Sequence, residues 1–98
     1  VKSFSVPIFG SRIYHTRDRD EAQRWLDKNC PDACLSVDGL CANNGGAVLV
    51  YTKDDAPGLL AHEAVHAAGF VLDACGAETR DEEIVAHLVQ FIVDKAKD

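Results

Sequence analysis

The segment His62-Glu63-Ala64-Val65-His66 sets two imidazoles four residues apart, with a carboxylate directly after the first. On a helix each residue turns the chain by about 100°, so the two histidines differ in direction by only about 40°. Imidazoles so placed hold one divalent ion from a single helix, and zinc accepts such nitrogen ligands. Glu63 then stands close to the ion without pointing straight at it. A general base must stand there to reach a metal-activated water.

The motif needs a helix with one apolar side to carry it. Leu60, Ala61, Ala64, Val65, Ala68, Val71 and Leu72 form a broad apolar arc, which is expected to lie on a sheet. His62 and His66 project from the opposite side together with Gly69 and Asp73, and Glu63 is rotated toward Leu59 and Phe70. Asp55 is a candidate cap, Pro57 suits the first turn, and the helix should run to about Ala74 and stop at Gly76.

Two imidazoles alone do not bind zinc tightly, so a third protein ligand is expected. A last helix, capped by Thr79 with Glu82 completing a T-x-x-E box, offers one. Its apolar arc is Ile84, Val85, Leu88, Phe91 and Ile92, while Glu83, His87, Gln90 and Asp94 line its polar side. The residues leave Glu82 and Glu83 as alternatives. Capping would occupy Glu82 and free Glu83, whereas the apolar neighbours of Glu82 favour it as the buried ligand. Ala86, one turn on, should let the two helices approach. Hydrolysis also needs a donor for an oxyanion, and His87, Tyr51, Tyr14 and His15 are the candidates.

"HEAVH" followed by "DEEIVAHLVQFIV" resembles the zincin-like metallopeptidases whose third ligand is a glutamate on the next helix, the gluzincin arrangement. The E-x-x-A pattern is similar to that of ImmA/IrrE-type peptidases, and the chain resembles still more the small zincin-like proteins encoded by bacteriophages. The resemblance covers residues 47 to 98, and the first 46 in outline. It implies zinc as cofactor, His62, His66 and Glu83 as its ligands, Glu63 as the base, and a peptide or protein substrate. Larger gluzincins brace a histidine with an aspartate or asparagine four residues after the third ligand. Here His87 takes that place, and Asp73 becomes the substitute bracing residue.

Upstream, "SFSVPIF" and "RIYHT" read as two strands joined by a turn, with Pro7 placing the first at an edge. Asp18 and Glu21 open a helix over "RDEAQRWLDKN", with Ala22, Trp25 and Leu26 on its inner stripe. The stretch "CPDACLSVDGLCANNGG" reads as turns around a short strand "CLSV", and "AVLVYT" is the clearest strand, expected to present an edge to an extended peptide. The fold class expected is α+β: a small mixed or antiparallel sheet packed against three helices, in one domain spanning residues 1–98.

Composition narrows the partners. A formal charge of −6 without a basic stripe argues against nucleic acid, and no apolar run is long enough for a membrane span. The spacings among Cys30, Cys34, Cys41 and Cys75 match no common zinc finger. Reduced, partly buried thiols are the first reading, ahead of a disulfide such as Cys30–Cys34 or a thiolate-bound zinc. The expectation is a cytoplasmic protein, in the host cytoplasm if phage-encoded, with a mature secreted form as the alternative. It would be a monomer or weak oligomer. The functional expectation is a zinc-dependent metallopeptidase. The alternative is a catalytically silent binding protein in which zinc is structural.

Overall fold

The structure is a computed structural model that describes residues 1–33, 35, 38–54, 57–77 and 81–97. Seven elements follow in order: β1 (Lys2–Ser5), β2 (Arg12–Thr16), α1 (Arg19–Asn29), β3 (Gly39–Asn44), β4 (Ala47–Thr52), α2 (Pro57–Ala74) and α3 (Glu82–Lys97). The four strands form one mixed sheet in the order β1-β2-β4-β3. β2 and β4 run parallel at its centre, and β1 and β3 flank them antiparallel. The class is therefore α+β, as expected. No helix among the described residues is long and apolar enough to cross a membrane.

Strand alternation sorts side chains to two faces. Ile13, Val48 and Val50 face α2 and α3, where they meet Ala64, Ala67, Ala68, Val71, Leu88 and Ile92. Leu49 and Tyr51 face α1 and bury against Ala22, Leu26 and Leu35. Helices therefore cover both faces of the sheet. That suits its parallel centre, whose β4 is buried along nearly its whole length.

Local chemistry sets the element ends. The Asp18 carboxylate accepts from the backbone N–H groups of Asp20 and Glu21, capping α1. Glu21 does not close a capping box. Its carboxylate takes the Thr16 hydroxyl at 2.8 Å, and that bond, ahead of the N-terminal ammonium, holds its pKa below the usual value. α2 ends at Ala74, and Gly76 adopts φ +77°, the left-handed conformation expected after a helix. Asp81 caps α3 through the N–H groups of Glu83 and Ile84. Thr79 and Asp55, the caps expected from sequence, lie outside the described residues, as does most of "CLSV".

Two expectations about strands need correction. Gly39–Asn44, expected as turns, is β3, paired along its length with β4. Gly45-Gly46 makes the two-residue turn between them, with Gly45 at φ +60°. β4 consequently has neighbours on both sides and offers no edge to a peptide. β3 offers it instead.

Candidate metal centre

α2 leaves the C-terminal end of β4 and lies across β4 and the outer strand β3. His62 and His66 are exposed on one side of it, with ring centroids 5.2 Å apart and planes inclined at 71°. The helix repeat is the cause, since residues four apart stack on one face. The motif has therefore the pairing that its spacing predicts.

Glu63 is turned inward and is only 6% exposed. It lies against Gly39 of β3: a Cβ placed on that glycine would come within 2.9 Å of a Glu63 carboxylate oxygen and 2.8 Å of Leu59 Cδ1. Real Cβ atoms do not approach so closely, so the bare backbone at Gly39 is what admits the carboxylate. On the same face of β3, two residues on, stands Cys41. Burial, with the Glu63 charge adding to it, pushes the Cys41 thiol from 9.0 to about 12.

This packing rolls α2 relative to the orientation that its apolar arc predicted. Glu63 and Ala67 are inside, whereas Ala61 and Val65, expected on the sheet, face solvent, Val65 with 53% of its surface exposed. The roll follows from the glycine. Leu59 and Glu63 occupy the space a side chain at position 39 would fill, which draws that side of the helix toward β3.

The third ligand expected from sequence is not brought to the pair. Ala96 and Lys97 border the same hollow as His15, Thr16 and Arg17, at the sheet end from which α2 departs, so α3 runs antiparallel to α2. Glu82 and Glu83, at the start of α3, then lie toward the C-terminal end of α2, while His66 sits about 12 Å of helix rise before that end. Glu83 is exposed and faces His87 across 3.7 Å. Among the described residues no three His, Cys, Asp or Glu side chains gather where they could share an ion. Ala86 is exposed and does not mediate the contact between the helices. The fit to zinc is thus one of two good imidazole donors, with the rest of the coordination shell not supplied by α3.

The remaining candidates separate as well. Asp73 lies on the histidine side of α2, seven residues beyond His66 or about 10 Å of rise. Tyr51 is 3% exposed and belongs to the core under α1, on the other face of the sheet, because its register alternates with Val50. Tyr14 shares that face and tilts against Trp25 at 6.1 Å. His15 faces α2 and α3 but is buried and held to the Thr52 hydroxyl at 3.0 Å. None of the three stands beside the histidine pair as an oxyanion donor. A hollow of about 360 Å³ lined by Tyr14, Arg24, Trp25, Lys28 and Leu49 also lies on the α1 side and includes neither histidine nor Glu63.

No family model, curated protein or solved structure matches the chain. The residues that sequence reasoning missed are Gly39 and Cys41. The signal for them was "NNGG" before "AVLVYT": a glycine pair ahead of a strong strand marks a hairpin, which puts a partner strand just upstream. Cys30, Cys41 and Cys75 carry free thiols.

The Cys41 thiol sets an alkaline limit on stability. The unfolded chain loses this proton near 9.0, while the folded chain keeps it to about 12. Across that window the unfolded state binds fewer protons, so stability falls as pH rises, by up to about 1.4 kcal/mol per pH unit. In urea titrations at about pH 8 and about pH 10.5, Cys41→Ala should lose less stability between the two than the parent chain. Equal losses would show that the thiol contributes nothing to the slope.

Proposed function

We propose that the chain is a zinc-dependent hydrolase of peptide bonds, with His62 and His66 as metal ligands and Glu63 as general base. The observation that carries this reading is the position of Glu63. A carboxylate adjoining an exposed histidine pair is buried against a glycine of the outer strand, where an extended peptide would add to the sheet. A surface glutamate with no task would remain in solvent, because burying a carboxylate is costly.

The chain's own groups then divide the work. The open side of β3 binds peptide backbone by strand addition, which holds the substrate extended across the front of α2. Glu63 takes a proton from the attacking water and delivers it to the departing nitrogen. Bound zinc would supply carbonyl polarisation and acidify that water. The alternative, a silent binding protein in which zinc staples α2 to α3, finds less support, since neither Glu82 nor Glu83 reaches the histidines.

The test begins with untagged protein stripped by a chelator and reloaded with zinc. Zinc should restore cleavage of a quenched-fluorescent peptide library, and His66→Ala should lose both metal and cleavage. Protein that takes up zinc yet cleaves no peptide would leave only the binding reading standing.

A further inference from the structure

Zinc favours four ligands in a tetrahedron, and the histidine pair supplies half of them. The outer side of α2 that bears the pair has a second peculiarity. From Pro57 to Leu72 its only Asp, Glu, Lys or Arg is Glu63, which is buried, and the next charge is the exposed Asp73 in the last turn. Beyond Gly58 in the first turn, what remains exposed there is Ala61, His62, Val65 and His66, with Val65 more than half uncovered. The solvent side of a helix ordinarily carries charge, and a helix that is apolar all round is ordinarily covered.

We propose that this side of α2 packs against the same side of a second copy, and that the two histidine pairs together enclose one zinc ion with four imidazoles. A two-fold axis through Val65 doubles two donors to four, which is what the ion requires. Residues 61 and 65 lie one turn apart on a single ridge, and alanine at 61 leaves room for a helix axis at 8–10 Å, the usual packing distance. Each chain carries a formal −6, so a face whose one acidic group, Asp73, stands at its far end is where two copies meet with little repulsion, and the zinc charge offsets part of the remainder.

The inference rests on the proposed function only in taking His62 and His66 as metal ligands, and it adds regulation to that reading. Four imidazoles leave no position for water, as in closed structural sites, so the dimer is latent, and the active form is a monomer that holds its own ion once zinc exceeds one per two chains.

Sedimentation velocity on the untagged chain, stripped and then titrated with zinc chloride, tests it. Dimer should appear as zinc is added and be complete at about one ion per two chains, and a chelator should return monomer. Cobalt in place of zinc should show the intense visible bands of a tetrahedral nitrogen site in the dimer. His66→Ala should stay monomeric, and Val65→Lys should weaken zinc-driven dimerisation on the order of tenfold or more, with its circular dichroism unchanged. Chains that bind one zinc each and stay monomeric at every zinc ratio overturn the inference while leaving the peptidase reading intact. A dimer indifferent to zinc also overturns it. No zinc uptake at all overturns both.

Discussion

Glu63→Gln is expected to lower kcat for peptide hydrolysis by roughly 10²–10⁴-fold while zinc uptake and the fold persist. The amide has nearly the shape of the carboxylate, so it fits the space beside Gly39 and Leu59 without new contacts. It cannot accept the proton of the attacking water, so the loss should appear in kcat and leave KM nearly unchanged. Because Glu63 is 6% exposed, replacing its carboxylate with a neutral group should hold or raise the melting temperature. That combination separates the two functional readings. A merely structural Glu63 gives no change in turnover, whatever the melting temperature does. A catalytic Glu63 gives the loss in kcat with the fold retained. Equal kcat for the variant and the parent, both loaded with zinc, would remove the base from the mechanism.

Gly39→Ala should be nearly as damaging to activity, by a different route. The added methyl must displace Leu59 Cδ1, at 2.8 Å, and the Glu63 carboxylate, at 2.9 Å. Both belong to side chains that can move, so the chain should still fold, at a cost of about 1–3 kcal/mol for overpacking. The carboxylate, once displaced, no longer stands where the base is needed, and misplacement by about 1 Å can cost about 100-fold in rate. His62 and His66 are exposed, on a neighbouring side of α2 that does not meet this glycine, and should bind zinc as before. The measurements are urea unfolding, zinc stoichiometry and peptide turnover on one preparation. Full turnover with reduced stability would mean that Glu63 has no positional role. Reduced turnover that Gly39→Ala shares with Glu63→Gln, without further loss when the two are combined, would place both residues in one pathway.

Much of the fold was legible in the chain. Period-two alternation in "RIYHT" and the β-branched run "AVLVYT" marked β2 and β4 at their observed limits. Asp18 marked the start of α1 and Gly76 the end of α2, because caps act through the nearest few backbone groups. β3 escaped notice because its residues, "GLCANN", have weak strand propensity and gain their ladder from β4. The apolar arc of α2 predicts an orientation about one residue out of rotation for a related reason. Hydrophobicity alone favours burying Val65, but the absence of a side chain at Gly39 lets Leu59 and Glu63 claim the interior.

The sequence by itself determined what one helix can determine: that His62 and His66 share a side, and that Glu63 adjoins them. Those relations are set by a repeat of 3.6 residues and need no partner. Tertiary structure decided everything that depends on which surface α2 meets. It buried Glu63 under the outer strand, turned Val65 to solvent, and put Tyr51 on the opposite face of the sheet. It also ran α3 back along α2, leaving Glu82 and Glu83 toward the far end of that helix and away from the histidine pair. Distances between elements depend on packing across the core and on how loops return the chain, and spacing along the sequence carries neither.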